Sequence, residues 1–225
     1  MKLVLVAHRL QPYIDVELQP GKPAGLVAVE AAQKIRTSLE ISDPIIVISD
    51  PESLVRAKPY LPHDSTVVEM PNTNEASTPE ERNSPADVLS ALSRLEAEKE
   101  EPIVLVAMDE PLTDADLAGE AARLHVHWWC DYTFGEGYPQ GLCPQVVRFE
   151  TVEAILALAL QHHIEWSRDW LFQVISRDIN TFDIETVVPQ TDYGLLRISL
   201  TADSAANVQR CVELATSLGS TPKLD

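Results

Sequence analysis

"PIVLVAMDEPLTDADLAGEAARLH" (102–125) is the clearest indication of the class of fold, because it joins an apolar strand to a helix through a short polar turn. Its first six residues are apolar and rich in Val and Ile, which is typical of a strand buried on both faces of a parallel sheet. Thr113 and Asp116 have the spacing of a capping box, which predicts a helix that ends near His125. A strand that leads into a helix is the repeating unit of an α/β fold.

The same alternation continues in both directions along the chain. Further strands are predicted at 2–7, 43–50, 65–70, 144–149, 181–188 and 194–201. Helices are predicted at 24–39, 86–100, 151–163, 167–179 and 203–218, with Ser167 capping the fourth, Gly219 at the C′ position of the last, and a polar loop over 71–86. We therefore expect a single α/β domain over residues 1–225, with three layers and a mixed, mainly parallel sheet.

The composition excludes several classes of protein. The 225 residues carry a formal net charge of −18, which disfavours nucleic acid and anionic lipid as partners because phosphate contacts need clustered Lys and Arg. No apolar run approaches the roughly 18 residues of a membrane span, and residues 1–10 lack a signal-peptide cleavage site, so we expect a cytoplasmic protein. The three cysteines are too few and too widely spaced for a disulfide framework or a zinc site.

Two aspartates follow predicted strands at the edge where open α/β sheets bind their ligands. Asp109 comes directly after the run 102–108, and Asp203 follows the predicted strand 194–201. The two carboxylates could share a divalent cation that neutralises a nucleotide's phosphates. Alternatively, Asp109 sets the turn before Pro111 and Asp203 caps the last helix. The spacing alone leaves both interpretations open.

Three stretches of the chain, 104–125, 131–155 and 195–214, resemble the cytidylyltransferase branch of the nucleotide-diphospho-sugar transferase fold. Asp109, Gly141, Leu142 and Asp203 match that pattern in order: Asp-x-Pro-Leu after a strand, then Pro-x-Gly-Leu, then Thr-x-Asp. The resemblance implies a nucleotidyltransferase in which Asp109 and Asp203 are catalytic and bind Mg²⁺. It also implies a nucleotide or sugar-like small molecule as the bound partner.

A second resemblance is to the N-terminal domain of spirochaete radical SAM proteins with a SPASM domain, called spiro-SPASM proteins. It is carried by the stretches 132–142, 167–188 and 194–211. The sequence contains no Cys-x-x-x-Cys-x-x-Cys, so it carries no ligands for a radical SAM cluster. This resemblance implies that the chain is a front module whose partner is a radical SAM/SPASM domain.

The segment "DYTFGEGYPQGL" (131–142) holds three of the eight glycines of the chain. In the cytidylyltransferase-type relatives the equivalent segment borders the acceptor pocket, where glycine lets the backbone approach a ligand closely. The resemblance therefore implies that Tyr132, Glu136, Tyr138 and Gly141 bind substrate. The alternative is a tight turn that only leads into the following strand.

The loop after the first strand departs from the family's pattern. Active relatives place a glycine-rich loop with Arg and Lys here to hold a triphosphate. In this chain no glycine precedes Gly21, and Arg9 and Lys22 are the candidate cofactor-binding cations. Two functions remain open. One is a metal-dependent nucleotidyltransferase that acts on a sugar-like acceptor, and the other is a non-catalytic binding or docking module of a radical SAM/SPASM protein.

Overall fold

The computed structural model describes residues 1–70 and 84–218. The polar loop predicted at 71–86 falls mostly outside these residues, as does Gly219. Within them, nine strands form a seven-stranded sheet and a separate two-stranded hairpin. The strands are β1 (Lys2–Ala7), β2 (Glu17–Gln19), β3 (Lys22–Pro23), β4 (Ile46–Ser49), β5 (Thr66–Glu69), β6 (Pro102–Ala107), β7 (Tyr132–Gly135), β8 (Gln145–Arg148) and β9 (Ile184–Val187).

The large sheet is mixed and mainly parallel, as the sequence predicts. Its order is β5-β4-β1-β6-β8-β7-β9, and β2 and β3 form the hairpin. The strand β8 is antiparallel to both β6 and β7, whereas the other pairs in the sheet are parallel. The carboxyl ends of β1, β6 and β7 therefore face the same edge, and the loops that leave these strands can meet there.

Helices cover both faces of the sheet and give the three layers. They are α1 (Ala24–Ser38), α2 (Pro51–Ala57), α3 (Pro85–Leu92), α4 (Ala115–Trp128), α5 (Val152–His162), α6 (Trp170–Ile175) and α7 (Ala205–Leu218). Alternate residues of β1 point to opposite faces: Leu3 and Leu5 pack with α1, α4 and α7, and Val4 and Val6 with α3, α5 and α6. Two apolar cores result, one on each side of the sheet. Among the helices in the described part of the chain, none has the length and apolarity that a bilayer crossing needs.

The start of α4 differs from the prediction by one residue. Asp114, not Thr113, is the N-cap, because its Oδ1 atom accepts hydrogen bonds from the amides of Asp116 and Leu117 at 2.8 and 3.0 Å. The hydroxyl of Thr113 instead donates to the carbonyl of Glu110 at 2.9 Å and so closes the turn after β6.

Two predictions in the second half of the chain are wrong in detail. The helix predicted at 167–179 is regular only over Trp170–Ile175, and Asp169, not Ser167, is its N-cap. The strand predicted at 194–201 begins instead with a 3₁₀ turn, Gly194–Leu196, followed by Arg197 in the left-handed region at φ 50°. Leu195 and Leu196 are exposed, so this apolar run has no core to face and does not pair as a strand.

A buried histidine in α4 makes the fold sensitive to mild acid. His125 is 3% exposed, and burial, together with the charge of Arg148, lowers its pKa from 6.5 to about 4. The unfolded chain therefore binds a proton near pH 6.5 that the folded chain does not, and stability falls as the pH decreases below 6.5. We expect a loss of about 2 kcal/mol from pH 7 to pH 5 through this group.

Urea unfolding of wild type and His125→Gln at pH 7 and pH 5 measures this loss. The variant should lose less stability than wild type between the two pH values, whereas the exposed-site control His162→Gln should behave as wild type. Equal pH dependence in wild type and His125→Gln would contradict the assignment.

Candidate functional site

A pocket of about 340 Å³ lies at the carboxyl ends of β1 and β6. Its walls come from the ends of those strands, from the segment between β7 and β8, and from residues 166–172 around the start of α6. This is the edge at which open α/β sheets bind ligands. The side chains that line it include His8, Asp109, Glu110, Trp166, Ser167 and Arg168.

The fold brings Asp109 and Asp203 together, as the sequence predicts. The carbonyl of Asp109 accepts a hydrogen bond from the amide of Ala202 at 2.7 Å, which fixes the chain just before Asp203 against the end of β6. The Oδ1 atom of Asp203 accepts from the hydroxyl of Thr201 at 2.7 Å and from Nδ2 of Asn207 at 2.9 Å. Asp203 is thus oriented by its own turn and by the first turn of α7.

Arg168 lies between these two aspartates. Its Nη2 atom is 2.5 Å from Oδ2 of Asp109 and 2.9 Å from Oδ2 of Asp203, and its Nε donates to the same Asp203 oxygen at 3.2 Å. One guanidinium therefore forms ion pairs with both carboxylates, and the three groups together keep one negative charge. Asp109 is nearly inaccessible, whereas Arg168 and Asp203 keep 25% and 28% of their side-chain surface exposed.

The charges at this site determine the protonation of its groups. Burial lowers the pKa of Arg168, but the charges of Asp109, Glu110 and Asp203 outweigh it, so the net shift is upward and the guanidinium is firmly protonated. Burial raises the pKa of Asp203, but hydrogen bonds from Asn207 and Thr201 and the charge of Arg168 lower it overall. Burial and the neighbouring Asp109 raise the pKa of Glu110 to about 7.

This arrangement does not fit a divalent cation shared by the two aspartates. Mg²⁺ or Mn²⁺ would need carboxylate oxygens at about 2.0–2.6 Å, in the position that Nη2 of Arg168 holds. Within residues 1–70 and 84–218, no group of three or more His, Cys, Asp or Glu side chains gathers in a way that could hold a metal. Metal binding by Asp109 and Asp203 stays a prediction. It requires the guanidinium of Arg168 to move out of the space between the two carboxylates.

The loop after β1 is held by a carboxylate of the chain itself. Asp50, which follows β4 and caps α2, accepts hydrogen bonds from the amide of Ser53 at 2.8 Å and the amide of Arg9 at 3.0 Å. Its Oδ2 atom also lies 3.1 Å from Nδ1 of His8. The amide of Leu10 donates to the hydroxyl of Ser53 at 2.9 Å. Two amides at the start of this loop, those of Arg9 and Leu10, are therefore already hydrogen-bonded within the protein.

The two predicted cofactor-binding cations lie elsewhere. The side chain of Arg9 is exposed, and its backbone takes the left-handed conformation at φ 52°. Lys22, on β3, forms an ion pair with Glu30 of α1 at 2.8 Å. Neither residue lines the pocket with Asp109 and Arg168.

All four predicted substrate-binding residues line the pocket: Tyr132, Glu136, Tyr138 and Gly141. The hydroxyl of Tyr132 donates to Oε1 of Gln145 at 2.6 Å, which joins β7 to β8 at the pocket wall. Gly141 has φ +87°, and a Cβ at this position would lie 2.7 Å from the carbonyl oxygen of Leu200. The segment therefore contains glycine here because the backbone turns sharply and packs against the chain that leads to Asp203.

Replacing Gly141 with alanine should lower the free energy of unfolding by about 2 kcal/mol, because it adds strain at positive φ and a clash with a backbone oxygen. Gly119 of α4 has no atom within 4 Å of the position of an added Cβ. Gly119→Ala should therefore stabilise by about 0.5–1 kcal/mol, as alanine does inside helices. Thermal unfolding of both variants tests this, and a Gly141→Ala variant as stable as wild type would contradict it.

Sequence reasoning missed Arg168, Trp166 and Asp50. Arg168 reaches the site from the irregular chain before α6, where no periodicity marks a functional position. Asp50 carried a readable signal, since an aspartate after a buried strand and before Pro51 is typical of a helix N-cap. Its second use, on the loop after β1, depends on a contact 41 residues away in sequence.

Comparison with known proteins shows the fold. No protein-family model and no curated protein matches the sequence. Among solved structures, a cytidylyltransferase from Leptospira borgpetersenii serovar Hardjo-bovis superimposes with a TM-score of 0.65 at 12% identity, covering 99% of this chain and 89% of that chain. The 4-diphosphocytidyl-2C-methyl-D-erythritol synthase from Anaerococcus prevotii gives 0.62 at 12% identity over 96% of this chain and 98% of that one.

A complex of Rv0371c with manganese from Mycobacterium tuberculosis gives a TM-score of 0.62 at 14% identity, covering 94% of this chain and 97% of that chain. These likenesses confirm the layered sheet that the sequence predicts. The chain has the nucleotidyltransferase-like fold that the cytidylyltransferases share.

Proposed function

We propose that this nucleotidyltransferase-like domain binds an uncharged, sugar-like ring in its pocket and does not transfer nucleotidyl groups. The proposal rests on the hydrogen bonds by which the Asp50 carboxylate holds the loop after β1. A nucleoside triphosphate needs free amides and cations at this loop. Here the amides of Arg9 and Leu10 are bound to Asp50 and Ser53, and a carboxylate stands where phosphate would be attracted.

The charges around the pocket also disfavour a phosphorylated ligand. Asp109, Glu110, Glu136 and Asp169 line it, and Arg168 is already bound by two carboxylates. Among the pocket-lining residues that the structure describes, Arg168 is the one Lys or Arg, so an incoming phosphate would meet an acidic environment. An uncharged ligand avoids that cost.

Several polar groups in the pocket are available to such a ligand. The carboxamide oxygens of Gln140 and Gln145 accept hydrogen bonds from Ser199 and Tyr132. In the described part of the chain, neither Nε2 atom donates to protein. The hydroxyl of Ser167 is buried without a hydrogen-bond partner among the same residues. The two Nε2 amide groups and the Ser167 hydroxyl can bind ring hydroxyls of a ligand, since buried polar groups are normally hydrogen-bonded.

Aromatic rings supply the apolar surface that a ring ligand needs. Trp166 stacks on Trp170 with centroids 5.4 Å apart, and Phe134 stacks on Tyr132 at 5.2 Å. All four rings line the pocket. Aromatic walls together with polar groups that orient a ligand are typical of small-molecule sites. The C–H face of a sugar or the plane of a nucleoside base suits these walls.

The proposal is tested with pairs of probes that differ only in phosphate. Saturation-transfer NMR would compare cytidine with CMP, and neutral hexoses with their 1-phosphates, on the wild-type protein. We expect the neutral member of a pair to bind more tightly. Tighter binding of CMP or of the hexose phosphates would overturn the proposal and favour the transferase alternative.

A matched pair of tryptophan variants locates the binding. Trp166→Ala should weaken the neutral ligand about tenfold, which corresponds to the loss of one aromatic contact of about 1.4 kcal/mol. Trp128→Ala should leave binding unchanged, because Trp128 is 60% exposed at the end of α4 and does not line the pocket. Equal effects of the two variants would contradict this location. From the sequence resemblance alone, we also propose that the domain presents this ligand to a radical SAM/SPASM domain.

A further inference from the structure

The Nη2 atom of Arg168 lies between two carboxylates. It is 2.5 Å from Asp109 and 2.9 Å from Asp203 and meets a single oxygen of each, while Nε donates to the same Asp203 oxygen at 3.2 Å. Arginine–carboxylate pairs are frequently bidentate, with two nitrogens on two oxygens of one partner. Here one nitrogen of the charged guanidinium bridges oxygens of two partners, as a shared cation would.

The carboxylate of Asp203 and the backbone of Asp109 are held in place by contacts other than Arg168. Asp203 is oriented by Thr201 and Asn207, and the amide of Ala202 donates to the carbonyl of Asp109. The two acidic residues would therefore stay next to each other if Arg168 lost its charge. Two neighbouring ionised carboxylates repel each other, so they would take up a proton or a cation.

We infer that Arg168 is a built-in replacement for a divalent cation, and that Asp109 and Asp203 form a latent cation site that Arg168 closes. Wild-type protein then has no need of metal at this position. A variant without the guanidinium opens a space between Asp109 and the Asp203 carboxylate that Thr201 and Asn207 orient. Carboxylate oxygens with water completing the shell are the ligands that Mg²⁺ and Mn²⁺ prefer.

The role of Arg168 between Asp109 and Asp203 is independent of which ligand the pocket binds. It is tested with Mn²⁺ alone. The sugar-like ligand of the proposed function is tested with metal-free protein, so each idea can fail while the other stands.

Electron paramagnetic resonance of free Mn²⁺ would measure binding to wild type, Arg168→Ala and Arg168→Ala/Asp203→Asn. Because the chain carries a net charge of −18, weak binding to surface carboxylates is expected in all three proteins. Arg168→Ala should bind one Mn²⁺ at least tenfold more tightly than wild type, and the double variant should lose that gain. Equal Mn²⁺ binding by wild type and Arg168→Ala would overturn the inference, as would a gain in Arg168→Ala that the double variant keeps in full.

A second variant protects the test against poor folding of Arg168→Ala. Arg168→Gln shortens the side chain by two atoms but keeps a polar amide donor while removing the charge. Mn²⁺ should raise the melting temperature of Arg168→Gln and leave that of wild type unchanged. Absence of a Mn²⁺-dependent shift in the folded Arg168→Gln protein would overturn the inference by itself.

Discussion

Arg168→Met should lower the free energy of unfolding by about 3 kcal/mol at pH 7, the largest effect expected of any single change at this site. Methionine keeps most of the side-chain volume but leaves Asp109 and Asp203 without a counter-ion. Asp109 is only 9% exposed in its side chain, so water compensates it poorly. Most of the loss is the cost of leaving a buried charge unpaired.

Urea unfolding of Arg168→Met beside Arg123→Met measures this effect. Arg123 is exposed on α4, away from Asp109, and its replacement should change stability by less than about 0.5 kcal/mol. A double-mutant cycle with Asp109→Asn should show that part of the loss is recovered when the carboxylate is neutralised. An Arg168→Met variant as stable as Arg123→Met would show that the ion pair contributes nothing.

Asp50→Ala should destabilise the fold by about 3 kcal/mol. About 1 kcal/mol of this is the lost N-cap of α2, and the rest is the cost of leaving the Arg9 amide and the His8 ring without their acceptor. Asp50→Asn keeps an acceptor oxygen and should lose less. Melting temperatures of the two variants and wild type give the comparison, and a loss below about 1 kcal/mol in Asp50→Ala would contradict the account.

The effect of Asp50 should depend on pH. Burial raises the pKa of this carboxyl, but hydrogen bonds from His8, Ser53 and Arg9 outweigh burial and hold it well below its usual range. A depressed folded-state pKa gives stability that is present above about pH 4 and is lost as the pH falls towards the folded value. The deficit of Asp50→Ala relative to wild type should therefore shrink between pH 5 and pH 3 in urea unfolding. A constant deficit would contradict the linkage.

The strand β6 and the position of Asp109 were predictable because they depend on local patterns. A strand that is apolar along its whole length is buried in the interior of an α/β sheet, and the residue that follows it lies at the carboxyl edge. The approach of Asp203 was also predicted, although for a partly wrong reason. The chain before Asp203 is joined to Gln140 by two backbone hydrogen bonds and to Asp109 by one, and it is not a regular strand.

Arg168 could not be predicted, since its role arises from contacts that are distant in sequence. It is 59 residues from Asp109 and 35 from Asp203, and it lies in chain without regular structure. A strand pattern likewise failed at 194–201, where Leu195 is 86% exposed. A hydrophobic pattern shows which residues favour burial. Whether such a segment forms a strand depends on whether it can pair with and pack against the rest of the sheet.

The proposed function requires that side chains of the protein occupy the positions that metal and triphosphate would need. Isothermal titration of CTP into wild-type protein, with and without Mg²⁺, tests it most directly. We predict no Mg²⁺-dependent binding at millimolar CTP, because Asp50 holds the loop after β1 and Arg168 closes the aspartate pair. Mg²⁺-dependent CTP binding that is lost in both Asp109→Ala and Asp203→Ala would contradict the claim and establish a metal-dependent nucleotide site.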